Sequence, residues 1–163
     1  MNKPNYLYDF NSKSQGDWRI VNDGVMGGLS QGNLVINKKG NAVFSGHVSL
    51  DNNGGFTSIR KRIDFDALEG KKNLILRVKG DERRYQMRMK RNASDYHSYI
   101  QYFDTSNDWE TIELPLEDFY PSFRGRKLDM DNFPSDQIAE LSILIANYKE
   151  EDFQLEIDYI ALD

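Results

Sequence analysis

The 163-residue chain reads as an all-β protein, a jelly-roll sandwich forming one domain over residues 1–163. Three observations predict that class. Apolar and polar residues alternate in short runs, and the runs are separated by Gly, Asn, Asp and Pro. No apolar stripe of helical period is long enough to cover a parallel sheet. No linker, internal repeat or low-complexity tract divides the chain.

Each element follows from the same pattern. Tyr6–Phe10 and Trp18–Val21 are the first expected strands, the second ending in the turn Asn22-Asp23-Gly24. Leu34-Val35-Ile36 is bounded by Gly32-Asn33 and Lys39-Gly40-Asn41. In Ala42–Leu50 the residues Val43, Ser45, His47 and Ser49 oppose Phe44, Gly46, Val48 and Leu50, because successive strand side chains point to opposite faces. Phe56–Ile63 resumes after Asp51-Asn52-Asn53-Gly54-Gly55, and Asp66–Gly70 fits one helical turn and a stop. Lys72–Lys79 sets Leu74, Leu76 and Val78 against Ile75, Arg77 and Lys79. Tyr85–Arg91 sets Tyr85, Met87 and Met89 against Gln86, Arg88 and Lys90. These two strands are expected to neighbour one another in one sheet, apolar faces inward. His97–Phe103 and Trp109–Leu116 follow, with Pro115 ending regular pairing. Residues 117–137 read as a long irregular segment. Ile138–Ala146 and Phe153–Leu162 close the chain and place its C-terminal residues in the body of the fold, where truncation is damaging.

Composition narrows the function. Cysteine is absent, which excludes disulfides, thiolate metal sites and a cysteine nucleophile, and fits a reducing compartment. The N-terminal Met1-Asn2-Lys3-Pro4 opens no apolar run of signal-peptide length, and no stretch approaches the roughly 18 apolar residues of a transmembrane helix. No transmembrane segment and a cytoplasmic location are the resulting expectations. The formal charge of −5 is spread along the chain and argues against a nucleic-acid partner. One basic segment, Lys79–Arg91, reads either as a solvated strand pair or as a patch for an anionic or polar ligand.

The densest local signal is Trp18–Ser30, in which Gly24, Gly27 and Gly28 permit tight turning or close backbone approach. It is no phosphate-binding loop, since the Gly-Lys-Ser/Thr ending is missing and no helix follows. A bulge with a hairpin and a binding rim both fit. Asn53-Gly54-Gly55-Phe56 carries the same ambiguity, its Asn-Gly being a hairpin signal in its own right.

Four phrases in order resemble one known family: Trp18–Ser30, Asn52–Arg60, Trp109–Phe119 and Pro121–Gly125. The sequence is similar to the CIA30 family, named for complex I intermediate-associated protein 30, over nearly its whole length, and looks like a small stand-alone bacterial-type member without a targeting extension. The resemblance implies a galactose-binding-like jelly roll and an assembly-factor or chaperone-like role of the kind played by eukaryotic members for respiratory NADH dehydrogenase. Carried over onto matching positions, it implies a cluster of Asp23, Met26, Gly27, Gly28, Ser30, Gly54, Gly55, Phe56, Arg60, Arg124 and Gly125. Arg60 and Arg124 stand out there, because a guanidinium suits a carboxylate or phosphate and equally braces a loop or pairs with Asp23.

A second candidate surface comes from the aromatic strand. Tyr96 and Tyr102 share one side of it, and Tyr99, Gln101 and Phe103 the other. Gln86, Arg88, Tyr99 and Gln101 are the polar groups that a sheet would gather into a recognition face.

Catalysis finds no constellation. His47 and His97 are the two histidines, no Ser-His-Asp spacing is evident, and 26 acidic residues make a paired-carboxylate criterion undiscriminating. Asp104, Asn107 and Asp108, or Asp129 and Asp131, offer oxygen ligands for calcium, but ordinary turn chemistry accounts for both groups. Neither metal nor cofactor is expected. The leading expectation is a non-catalytic protein-binding or assembly domain with an exposed, partly apolar patch beside the Met26 and Phe56 loops and no deep pocket. The alternative is a small-polar-ligand or glycan-binding module using a concave sheet face and the adjoining Gly-rich loops, with an exposed aromatic ring.

Overall fold

A computed structural model describes residues 5–163, with the side chains of residues 25, 26 and 53 outside the description. Thirteen strands are present among them: β1 (Asn5–Asp9), β2 (Arg19–Asn22), β3 (Gln31–Ile36), β4 (Ala42–Val48), β5 (Thr57–Phe65), β6 (Asn73–Lys79), β7 (Arg84–Lys90), β8 (Ser98–Asp104), β9 (Trp109–Pro115), β10 (Tyr120–Phe123), β11 (Arg126–Lys127), β12 (Ile138–Ile145) and β13 (Glu151–Leu162). Single 3-10 turns occupy Asp23–Met26, Asp51–Asn53 and Leu116–Asp118.

The strands form two antiparallel sheets. One has the order β3-β4-β13-β6-β9 with β1 added against β13, and the other runs β11-β10-β8-β7-β12-β5-β2. This is the all-β jelly-roll sandwich that the alternation predicts. Phe44, Leu76, Val78, Leu155 and Ile157 from the first sheet and Ile59, Met87, Leu141, Ile143 and Ile145 from the second are fully buried in one core. Trp18 extends that core at one end, stacked on Phe10 at 5.5 Å with the Tyr8 ring edge-on at 5.4 Å. β13 is the central strand of its sheet, pairing with β4, β6 and β1 along its length.

Three details depart from the expectation. The 117–137 segment contains the hairpin β10–β11, whose two-residue turn Arg124-Gly125 has φ of 50° and 78° as a type I′ turn requires. Asp66–Gly70 forms no helical turn, and a β-turn closes instead with Lys71 N donating to Leu68 O at 2.9 Å. β6 and β7 are not sheet neighbours, because the chain crosses between the sheets at Gly80–Arg83. Asp81 pins that crossing. Its carboxylate accepts bonds from Tyr85 OH at 3.0 and 3.1 Å and from Gln154 N at 2.7 Å. The basic segment is therefore divided between two sheets, and part of it is neutralised within the protein: Arg83 pairs with Glu151 at 2.9 Å and Arg91 with Asp136 at 2.5 Å.

Candidate functional site

The Gly-rich phrases meet around one carboxylate. Asp23 is 1% exposed and accepts four hydrogen bonds: from Ser30 N at 2.9 Å, Ser30 Oγ at 2.5 Å, Gly55 N at 2.6 Å and Phe56 N at 3.2 Å. Burial alone would raise its pKa, but the bonds from Ser30, Gly55 and Phe56 outweigh that and hold it below the ordinary carboxylate range. Ser30 continues the network: its one hydroxyl proton goes to Asp23, and its Oγ accepts from Ser49 N at 2.9 Å.

Two of the glycines are explained by contact with this group. A Cβ on Gly28 would overlap the Asp23 side chain, and one on Gly54 would lie 2.5 Å from Asp23 Oδ2. Gly27 ends the 3-10 turn at φ 88°, in the left-handed region. The motif is thus a latch that ties the loop after β2 to the loop before β5. No arginine is among Asp23's hydrogen-bond partners. The Met26 side chain lies outside the described residues, and Phe56 is half-buried.

The latch holds an apolar shelf in the open. Leu29 and Leu50 flank the Ser30–Ser49 contact and are 55% and 41% exposed. Isolated exposed leucines are ordinary, but these two stand on adjoining loops joined through Ser30 and Ser49 and tied to the buried Asp23 carboxylate.

Arg60 and Arg124 are not brought together. Arg60 lies on β5, whereas Arg124 is the exposed tip of the β10–β11 hairpin, four strand spacings or about 19 Å across the sheet order. Its guanidinium rests over the Phe123 ring at 5.3 Å.

The outer face of the seven-stranded sheet is polar. Register aligns Arg19 with Arg60, Arg60 with Ser142, Ser142 with Arg88, Arg88 with Ile100 and Ile100 with Tyr120 in one row across the strands. Gln86 and Tyr102 stand in the adjacent row, joined by a 3.3 Å bond. The expected face of Gln86, Arg88, Tyr99 and Gln101 needs correction. Tyr99 aligns with Met89 and Gln101 with Met87, so both belong to the inner side. Tyr99 is 5% exposed against the Phe133 ring, and Gln101 Nε2 donates to Pro115 O at 3.0 Å. The neighbours of Arg88 on the outer face are Ile100 and Tyr102, the other half of the alternation.

Both outer aromatic rings have a cation over a face: Arg84 lies 4.4 Å from the Tyr102 centroid and Lys127 5.5 Å from that of Tyr120. Two cavities open on this side of the molecule, of about 30 Å³ and about 230 Å³. The larger is lined by the Arg62 and Asp64 end of β5 together with Arg91 and Gln137. Among the described residues, no three His, Asp or Glu side chains are grouped to hold a metal ion. No helix among them is long and apolar enough to cross a membrane.

Solved structures with this architecture include the family 11 carbohydrate-binding module of the cellulosomal cellulase Lic26A-Cel5E of Clostridium thermocellum. It has a TM-score of 0.68 and 16% identity, over 99% of this chain and 95% of that one. A second structure of the Clostridium thermocellum module, in complex with a β-1,3-1,4-mixed-linked tetrasaccharide, has a TM-score of 0.62 and 16% identity over 94% of each chain. At such identities the likeness is one of fold. Among curated proteins, the mitochondrial complex I intermediate-associated protein 30 of Drosophila melanogaster is 26% identical over 96% of this chain and 62% of its own length. The probable counterpart of Caenorhabditis elegans, also mitochondrial, is 27% identical over 95% of this chain and 53% of its own. The chain therefore spans between half and two thirds of the length of these relatives. Their mitochondrial names overturn the cytoplasmic expectation, which rested on missing cysteine and a polar N-terminal stretch, features that do not separate one reducing compartment from another. The family model for complex I intermediate-associated protein 30 matches residues 8–157, and the chain belongs to that family, CIA30.

Proposed function

We propose that this domain is a non-catalytic, assembly-type protein-binding module, acting as one unit, that docks a partner polypeptide through the Leu29 and Leu50 shelf. The observation that carries this reading is the Asp23 latch. A fully buried carboxylate with four hydrogen bonds fixes two loops whose flanking leucines remain exposed. Pre-ordered loops bind with a smaller entropy cost than mobile ones. Family membership supports the same reading and makes intermediates of respiratory complex I the partner to test, since the curated relatives carry that association in their names.

The glycan alternative draws on the carbohydrate-binding modules that share the fold. It has less support from the side chains. Tyr102 and Tyr120, the outer-face rings that a sugar would stack on, have Arg84 and Lys127 over them. Of the two cavities on this side, the one of about 30 Å³ is an order of magnitude below the usual ligand pocket, and the one of about 230 Å³ has Phe65 as its single aromatic lining residue.

The test is co-migration of the domain with complex I intermediates from detergent-solubilised respiratory membranes of its own organism. Wild type is compared with the double variant Leu29→Asp/Leu50→Asp. Both positions are exposed, so the variant keeps the wild-type circular dichroism and melting curve. Co-migration lost in the folded variant is the expected result. Equal co-migration of both proteins removes the shelf from the account, and its absence for wild type removes the complex I partner.

A further inference from the structure

The outer face of the seven-stranded sheet contains an arrangement that the latch and shelf do not use. Arg60 and Arg88 flank Ser142 from the two strands beside it, and all three line the cavity of about 30 Å³ together with Lys90, Ser98 and Glu140. Arg88 Nε and Ser142 Oγ are buried polar atoms without a hydrogen-bond partner among the described residues. Arg60 donates only from Nε to Ser58 Oγ, at 3.3 Å. Neither guanidinium has a carboxylate within ion-pair distance among those residues. The one acid lining the cavity, Glu140, is held by Arg19 at 3.3 and 3.4 Å. The other cation, Lys90, is held by Asp95 O at 2.6 Å.

Such a group of donors is costly when left alone. Burying an unpaired charge or an unsatisfied donor is unfavourable, and the two like charges on either side of Ser142 repel. The effect is visible on Arg88, whose pKa burial and then the nearby Arg60 push down to about 10. It remains protonated at neutral pH. Burial likewise lowers Arg60, while Glu140 supports its charge. The cavity admits only a few non-hydrogen atoms, too few for a sugar ring or a nucleotide, and with Glu140 and Lys90 already held, the groups in its lining that want an acceptor are the Arg88 and Arg60 guanidiniums and the Ser142 hydroxyl. A carboxylate meets each requirement: it is small, planar, anionic and matched to the guanidinium fork.

We propose that Arg60, Ser142 and Arg88 form a carboxylate-binding site, with the guanidinium groups donating to the two oxygens and the Ser142 hydroxyl supplying a further bond. Its occupant is an Asp or Glu side chain of the docked polypeptide, in which respect the site rests on the protein-binding reading. A Cβ on Gly55 would lie 3.4 Å from Leu50 Cδ2, and Arg60 stands five residues beyond Gly55, about 17 Å of extended chain, so one extended partner segment spans from Leu50 to Arg60. The site gives the shelf a polar anchor and a preference for acidic partners.

The test observes the arginine Nε–Hε resonances by nitrogen-15 NMR at pH 7, with sodium acetate, the peptide N-acetyl-Gly-Glu-Gly-amide, its Gln counterpart and inorganic phosphate as separate probes. Saturable shifts of the Arg60 and Arg88 signals with acetate and the Glu peptide, and none with the Gln peptide, are expected. Arg88→Gln weakens this binding at least tenfold, while Arg62→Gln, in the adjoining row and paired with Asp64 at 3.0 Å, leaves it unchanged. Should Arg88→Gln fail to fold, Arg88→Lys retains the charge without the fork and is expected to weaken both probes. Absence of saturation, or equal response to the Gln peptide, overturns the site. Response to acetate without response to the Glu peptide overturns the peptide source, and preference for phosphate overturns the carboxylate assignment. Leu29→Asp/Leu50→Asp leaves the titration unaltered, so a failure of shelf docking is distinguishable from a failure at the arginines.

Discussion

Replacing Asp23 by Ala separates a structural motif from a binding one. The substitution removes the acceptor for Ser30 N, Gly55 N, Phe56 N and the Ser30 hydroxyl. A buried donor left without a partner costs about 1–3 kcal/mol, and a half-buried one that recruits water costs less. Ser30 is buried, whereas Gly55 and Phe56 are half-buried, so the total is about 3–4 kcal/mol. In a protein of this size that lowers Tm by about 10 °C. The pH dependence supplies an independent check. The folded pKa of Asp23 lies below its unfolded value, so between the two the unfolded chain binds more protons. The contribution is complete above the unfolded value of about 3.9 and disappears as pH falls through the folded pKa. Urea unfolding of wild type and Asp23→Asn from pH 7 to pH 2.5 reads both effects: the variant starts less stable and loses less on acidification. An Asp23→Ala protein within 1 kcal/mol of wild type, together with superimposable acid profiles, would refute the latch.

Further outcomes follow from the same packing. Gly28→Ala and Gly54→Ala each force a methyl group against the Asp23 carboxylate, and calorimetry should show a loss of about 2 kcal/mol for either one. Ending the chain at Asp152 removes most of β13, the strand shared by β4, β6 and β1, and the dispersed amide spectrum should be absent. Tyr99→Ala opens a core cavity beside Phe133 and should cost about 3 kcal/mol, against about 1 kcal/mol for the half-buried Tyr102→Ala.

The fold was legible wherever period-two alternation ran for six or more residues. In β4, β6 and β7 the side chains of Phe44, Val48, Leu74, Leu76, Val78, Tyr85, Met87 and Met89, expected on the apolar side, are buried; Ile75 and Gln86 of the opposite faces are buried as well, and Leu50, expected inside, is exposed. Alternation describes one strand at a time, which is why it left open whether Tyr99 or Tyr102 faces the core and misassigned β6 and β7 to a common sheet. Both answers depend on pairing with strands distant in sequence. β10 and β11 were missed because runs of four and two residues, containing Pro121 and ending beside Gly125, show no period. The family phrases located the latch, but the glycines alone left a hairpin bulge and a binding rim both open, and neither reading identifies the carboxylate they enclose. Asp23 itself occupies the space that Gly28 and Gly54 leave open. Arg60 and Arg88 were each singled out from the sequence, on separate grounds, but their grouping around Ser142 had no local signal, since Ser142 lies in a strand whose eight residues are all buried and the arginines reach it only through register.

The most direct test of the docking account is site-specific photo-crosslinking in respiratory membranes from two exposed positions. One is Leu50, on the latched shelf after β4, and the other is Thr111, on β9 at the far edge of the same six-stranded sheet. The account predicts a discrete adduct with a complex I subunit from position 50 and none from position 111. An adduct from position 111 alone, or equal yields from both, would contradict it.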